Sequence, residues 1–486
     1  TGFFGYLPLF WLSALRDATD EFSPRSQHWG RLLRSVRIPD ELAAEVKATM
    51  DSLDERLLAA DAKLGDIADT IGQATTIAEG DTPGSARLRM LPMNMWDLLS
   101  RAGVVLKNEA IRPWLPLDHH GQGLQSLSVI FLFEAAVGQQ LTEEERVGME
   151  PVFAIEEPEA HLHPQAARML WERISGLPGQ KLVTTHSPYF VQGVPLHNLR
   201  LVGLRSGCTE VRSLPKKIIS ELPWTPQVET LSAGAGSMFT RDPETNRTAC
   251  TAWFSPEIEE RLAHCWRGDS QEAERRAAIA NLRHSCRSLV SQDDERELAF
   301  MGRRIRGEIF FARRWVLVEG PSEYLLMHAL GRAMDWSLDR HGVAVIDFQN
   351  NGNAGIYPAL ADAFGIPWRM ITDGDAESEK FKGQILKRGF TEDDLAGKFS
   401  TLPQPNSLEE QLLVDGHEQL LRTILDENGS PNALNCPLDE FRGRLKNAKT
   451  GYMAGLAPRV AADPALAVRM PAPFVALVQA LKDGTV

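Results

Sequence analysis

The apolar positions of this chain change their period several times, and each change predicts a different element. Between residues 39 and 71, Leu42, Val46, Met50, Leu53, Leu57, Leu64, Ile67 and Ile71 recur mostly at spacings of three and four. That is the stripe of one long amphipathic helix with a seam like that of a coiled coil. The other faces carry Glu41, Glu45, Asp51, Asp54, Glu55, Asp61, Asp66 and Asp69. An acidic helix repels a phosphate backbone, so the seam points to a protein partner or to packing within the chain. Residues 1–37 read as a strand-like start, a short helix and a basic loop. Gly80-Asp81-Thr82-Pro83-Gly84 ends the helical pattern because glycine and proline break the period.

Residues 111–240 then alternate short apolar runs (152–155, 181–184 and 199–203) with helical stretches. Continuous apolar runs of that length predict buried parallel strands. Residues 255–312 are helical and polar and read as a connector. Strand–helix alternation returns at 314, with strands at 315–318, 343–348 and 368–372 and helices at 322–334 and 354–364. The tail after 415 reads as helical.

Composition changes this picture in three places. A length of 486 residues implies two or three domains. The five cysteines are scattered and form no CxxC pair, which excludes common zinc modules and a disulfide framework and suits a reducing, cytoplasmic setting. The apolar opening at 3–15 is interrupted by Gly5 and Pro8 and is too short to span a bilayer. No other stretch predicts a membrane span. The net charge of −13 argues against a chain coated in nucleic acid but leaves room for local cationic tracks. One track is Arg303, Arg304, Arg306, Arg313 and Arg314 around Glu308; the other is Arg442, Arg444, Lys446 and Lys449. Each is either a DNA contact or a solvated face.

Two constellations carry chemistry. The run 151–155 is an apolar strand that ends in Glu156 and Glu157. Strand ends of this kind open into the crevice where α/β sheets bind ligands, and paired carboxylates there can hold Mg²⁺ and orient a water. About 30 residues on, a second strand ends in Thr185-His186-Ser187. Upstream, Gly121-Gln122-Gly123-Leu124-Gln125 opens a helix. In this order the three motifs resemble Walker B, the switch histidine and the signature motif of ABC-type ATPases. No GxxxxGK[ST] phosphate loop occurs. The expectation is therefore a partial ABC-type ATPase whose N-terminal lobe has been lost, with ATP a cofactor only where that lobe is present.

The second constellation begins at Arg314-Trp-Val-Leu-Val-Glu319-Gly-Pro-Ser-Glu323. About 50 residues later a strand ends in Asp373-Gly374-Asp375. The central glycine lets two carboxylates converge without a crowding side chain. Hard oxygen donors at neighbouring strand ends suit Mg²⁺ or Mn²⁺, and two such ions about 4 Å apart can drive phosphodiester hydrolysis. This arrangement is similar to Toprim domains. The order of ATPase motifs, helical insert and Toprim resembles the OLD (overcoming lysogenisation defect) family, over roughly residues 1–37 and 110–450.

The resemblance implies an α/β chain. A partial ABC-type ATPase at 1–37 and 111–240 carries a helical dimerisation insert at 38–110. A helical connector at 241–312 leads to a Toprim nuclease domain with C-terminal helices at 313–486. It implies a metal-dependent DNA endonuclease coupled to an ATPase, a homodimer, a place for a helicase-like partner and a role in phage defence. The site would comprise Glu319, Glu323, Asp373 and Asp375 with two metal ions, Glu409 as a further ligand, and Lys449 as a transition-state cation. Arg313, Arg314, Arg442, Arg444 and Lys446 would contact DNA. Gly121, Gly123, Gln125, Glu156, Glu157 and His186 would form the partial ATP site. The alternatives are a topoisomerase-like enzyme using Tyr324 or Tyr357, and an ATPase clamp whose Toprim fold only docks DNA.

Overall fold

A computed structural model describes residues 9–14, 17–26, 28–79, 88–92, 94–108, 111–140, 150–291, 293–296, 307–348, 354–430, 432–448 and 450–485. They fall into two compact units, Thr1–His186 and Ser187–Val486.

In the first unit the apolar runs become strand β1 (Leu9–Leu12), a hairpin of β2 (Val105–Asn108) and β3 (Ile111–Pro116), β4 (Val152–Glu156) and β5 (Gln180–Thr184). Strands β1, β4 and β5 make a parallel sheet with β4 in the middle. The helix Gln122–Gln140 packs on one face of this sheet. Its Phe133 stands edge-on to Phe10 of β1 and Phe153 of β4, with ring centroids 6.1 and 5.7 Å apart.

The acidic amphipathic segment is two helices, Asp40–Leu58 and Ala62–Glu79, where the spacing predicts one. Asp61 explains the break. Its carboxylate accepts the Lys63 N–H at 3.0 Å and starts the second helix, as aspartate does at helix N-termini. Asp54 is buried and accepts the N–H groups of Met90 and Leu91 at 2.8 and 3.2 Å. Leu42, Leu53, Leu57, Ile67 and Ile71 stay exposed.

In the second unit, the run expected as a buried parallel strand at 199–203 opens an antiparallel hairpin. Its arms are β6 (Leu201–Arg205) and β7 (Cys208–Arg212). Strands β8 (Ile218–Pro223), β9 (Phe239–Arg241) and β10 (Arg247–Cys250) follow as an antiparallel sheet in the order β8-β10-β9. The helices Pro256–Ala263 and Glu272–Cys286 share a core with it that includes Leu222, Phe239, Phe254, Trp266 and Ile279. The polar-looking connector therefore has a core of its own. Ile279, Leu282 and Cys286 recur at helical spacing on the one buried stripe of an otherwise charged helix.

The rest of this unit is a four-stranded parallel sheet of β11 (Arg314–Val318), β12 (Val343–Asp347), β13 (Trp368–Thr372) and β14 (Phe399–Thr401), ordered β12-β11-β13-β14. Side chains alternate across the central strand. Val316 and Val318 face a core with Leu326, Leu330, Leu456 and Phe474, while Trp315 and Leu317 face one with Leu360, Phe364 and Ile385. Burial on both faces is why β11 is apolar throughout. The chain leaves β11 for β12 on one side and returns to β13 on the other. The reversal opens a crevice above the C-terminal ends of β11 and β13, where sheets of this type bind ligands.

Candidate active site

Glu319 directly follows β11 and Asp373 directly follows β13, so both stand at that crevice. The Asp373 N–H donates to Glu319 Oε2 at 3.2 Å, which ties the two strand ends together. The helix Pro321–Ala333 starts after Gly320, and its Glu323 reaches back to accept the Gly320 N–H at 2.9 Å. Asp373 Oδ1 accepts the Leu408 N–H at 3.0 Å. Asp375 caps the helix Ala376–Lys387, accepting the Glu377 and Ser378 N–H groups at 2.9 and 3.3 Å. Gly374 is required for closeness. A Cβ there would lie 2.6 Å from the carbonyl oxygens of both Leu402 and Pro403.

The electrostatics mark this group out. Burial, with Glu319, Glu323, Glu409 and Asp375 around it, pushes the Asp373 carboxyl up to about 9. Burial pushes Glu319 and Glu323 up to about 7 each, and neighbouring carboxylates add to it. Like charges held together out of water disfavour ionisation, and a cation among them reverses that. The donor set, hard oxygens in mutual repulsion, fits a divalent metal. Among the described residues, no three His, Cys, Asp or Glu side chains form a ready-made metal shell. Here the carboxylates turn oxygens toward backbone N–H groups.

Glu409 joins the group from the helix Leu408–Val414. Ser407 Oγ donates to its Oε2 and Tyr452 Oη to its Oε1, each at 3.0 Å. Asp347 ends β12, and its charge adds to the upward push on Glu323. The sequence reading passes over Asp347, Ser407 and Tyr452. Asp347 follows the same strand-end rule that finds Glu319. Tyr452 lies in an apolar stripe with Met453, Leu456 and Val460 and reads as core.

The cationic residues divide. Arg313 and Arg314 sit at the start of β11 and Glu319 beyond its end, roughly 17 Å apart at the rise of a strand. The structure does not bring them to the acids, and Arg314 instead donates to the Leu481 carbonyl at 3.2 Å. Arg442 pairs with Glu410 at 3.3 Å, next to Glu409, while Arg444 pairs with Glu440 at 2.7 Å. Lys446 is exposed. Lys449, Arg303, Arg304 and Arg306 lie outside the described residues. Of the tyrosines a topoisomerase would need, Tyr357 is wholly buried and Tyr324 is exposed beside His328.

In the first unit, Glu156 ends β4 and accepts the Ala14 N–H at 3.3 Å. Glu157 follows in the left-handed region, at φ 40°, a backbone conformation that is uncommon for a non-glycine residue. Its carboxylate meets His186 Nδ1 at 2.9 Å. The expected catalytic acid and switch histidine are thus adjacent. Gly121 and Gly123 lie at the start of the helix Gln122–Gln140, and a Cβ on Gly123 would come 3.0 Å from the His161 carbonyl oxygen. Gln125 turns back to donate to the His120 carbonyl at 2.6 Å.

A family model described as the Toprim domain of overcoming lysogenization defect protein-like proteins matches residues 310–375. A second, described as an AAA ATPase domain, matches residues 43–191. The second match corrects the expectation of a partial ABC-type ATPase that has lost its N-terminal lobe. An AAA-type ATPase domain is present, and it runs through the long helices and the β4 and β5 strand ends. The family model matches this segment over residues 43–191, whereas the expectation of loss was argued from a missing phosphate loop. Both matches are to models of enzyme domains.

The chain is 25% identical over 235 residues to the uncharacterized protein YbjD of Escherichia coli, covering 48% of this chain and 30% of that protein. It is 39% identical over 92 residues to the OLD nuclease of Thermus scotoductus, covering 18% of this chain and 16% of that one. It therefore spans under a third of the length of either relative. Among solved structures, the C-terminal region of the Burkholderia pseudomallei OLD protein aligns at 23% identity and a TM-score of 0.29, over 36% of this chain and 100% of that one. Among the described residues, no helix is long and apolar enough to cross a membrane.

Proposed function

We infer that this chain cuts DNA phosphodiester bonds at the carboxylate cluster of its Toprim domain, and that the ATPase domain in the same chain governs the cut. The observation that carries this reading is the meeting of Glu319, Glu323 and Asp373 at the sheet crevice with their carboxyls pushed far above the ordinary range. Glu319, Glu323, Asp373 and Glu409 would hold two Mg²⁺ or Mn²⁺ ions, with Asp375 fixing the loop beneath them. Bound there, such ions supply a water nucleophile at neutral pH and charge to stabilise the leaving oxygen. Arg442 and Lys446 would steady the DNA backbone from the helix Leu438–Ala448. For Lys449 the sequence argument stands: a cation beside the metals offsets charge on the phosphoryl oxygens. An unchanged single-turnover rate in Lys449→Ala would remove it from that role. Glu156, Glu157 and His186 are the groups that would meet ATP and its Mg²⁺. The Thermus scotoductus OLD nuclease supports the reading by its name and local identity.

The test is supercoiled plasmid incubated with the protein and Mg²⁺, Mn²⁺ or Ca²⁺, with and without EDTA. Nicked and linear products are expected with Mg²⁺ or Mn²⁺ and none in EDTA. Cleavage that persists in EDTA would sink the metal mechanism.

The exposed apolar side chains Leu42, Leu53 and Leu57 of one helix and Ile67 and Ile71 of the next favour a second copy of this chain as partner, since exposed apolar surface marks interaction sites. Light scattering of the wild type should give a dimer, and the Leu53→Asp, Leu57→Asp double variant a monomer. A wild-type monomer overturns this assembly.

A further inference from the structure

We propose that Tyr452 is a positioning residue for the carboxylate cluster, holding Glu409 in place through its hydroxyl. The inference rests on the nuclease reading above and adds to it a residue from the tail of the chain.

Glu409 is fixed at both oxygens. Ser407, only two residues away, takes Oε2, and Tyr452 takes Oε1. Ser407 moves with Glu409 because both belong to the same helix start. Among the described residues, the side-chain bond that ties Glu409 to a different element comes from Tyr452, whose hydroxyl also bonds to Ser322 beside Glu323, and that tie sets where the carboxylate stands relative to Glu323.

The element that carries Tyr452 is built to stay still. Tyr452, Met453, Leu456 and Val460 of the helix Thr450–Ala462 are completely buried. They share one core with Leu326, Met327 and Leu330 of the helix whose first turn bears Glu323. Gly455 allows a further close approach, since a Cβ there would lie 2.5 Å from Ile424 Cγ2. The phenol is thus anchored to the helix of Glu323 and reaches across to Glu409. Its hydroxyl transmits the spacing of one acid to the other. Groups that orient metal-binding carboxylates by hydrogen bonding are worth on the order of 10–100-fold in metal affinity.

The variant Tyr452→Phe removes the hydroxyl and keeps the ring that fills the core. In the full chain, Mn²⁺ titrated by calorimetry should bind about 10-fold or more weakly to Tyr452→Phe than to wild type. Plasmid nicking should recover as Mn²⁺ is raised. In a Glu409→Gln background, the same Tyr452→Phe change should have no further effect on Mn²⁺ affinity. A merely structural tyrosine would lower the melting temperature and leave these metal readouts alone. Unchanged Mn²⁺ affinity in a folded Tyr452→Phe protein overturns the positioning role. So does an equal loss whether or not Glu409 is intact. A wild type that binds no Mn²⁺ overturns the acid-site reading itself, and Tyr452 with it.

Discussion

Asp373→Ala is expected to slow plasmid nicking by roughly 1,000-fold, the upper end of what losing one transition-state stabilising group costs. Asp373 is the member of the cluster with most acids around it, and its Oδ1 also holds the Leu408 N–H at the base of the Glu409 helix. Single-turnover nicking at saturating metal measures the effect, and a wild-type rate would remove the carboxylate cluster from the chemistry. The same variant has a signature in stability. The Asp373 carboxyl is held at about 9 in the folded chain, against about 3.9 in an unfolded one. A carboxyl raised in this way stays protonated in the folded state at pH 5. The wild type then loses stability as pH rises toward 9, because the unfolded chain has already released that proton. In metal-free buffer, the melting temperature of Asp373→Ala relative to wild type should therefore climb from pH 5 to pH 9. A difference that does not move with pH would refute the electrostatic account.

Arg388→Met is expected to destabilise the second unit by about 3–5 kcal/mol, the usual cost of stranding a buried charge. Arg388 grips Asp294 with two hydrogen bonds of 3.0 Å, and the two side chains are 4% and 9% exposed. Its remaining donors take the Arg287 and Leu289 carbonyls, and its guanidinium lies over Trp253, whose indole N–H also reaches Asp294. Burial works to raise the Asp294 carboxyl, but the hydrogen bonds and charge of Arg388, helped by Ser291, hold it below the ordinary range. This pair bolts the antiparallel module to the end of the helix Ala376–Lys387. Calorimetry should show the melting transition fall by on the order of 10 °C. Arg388→Met combined with Asp294→Leu should regain most of the loss, since replacing both charges removes the stranded one. A single variant within about 2 °C of wild type would show the pair to be dispensable.

The parts legible in the sequence are those whose signal is local. The strands at 315–318, 343–348 and 368–372 appear within a residue or two as β11, β12 and β13, because a strand buried on both faces must be apolar throughout. The positions of Glu319 and Asp373 just after such strands, and of Glu323 in the first turn of the next helix, were readable for the same reason. What escaped is what other elements impose. The run at 199–203 is as apolar as a buried strand, yet its partner is Cys208–Arg212 and the hairpin leaves Val202 and Leu204 exposed. The antiparallel module at 218–250 has short strands with broken alternation, and only its packing on Ile279 and Leu282 makes it a core. Arg313 and Arg314 lie close to Glu319 along the sequence, but the length of β11 separates them. The lost-lobe expectation failed because it was argued from one missing motif, while the AAA ATPase family model matches residues 43–191.

The acid cluster draws its walls from residues 319–323, 347, 373–375, 407–409 and 452. A ribosome delivers these in that order, at about 5–20 residues per second. The early carboxylates reach solution before the helix Thr450–Ala462 exists to set Glu409 against Glu323. A half-made or prematurely terminated chain thus carries the acids without their final arrangement. Under the proposed DNA-cutting reading, in which Tyr452 sets the place of Glu409, this order delays assembly of the acid site until synthesis has passed residue 452.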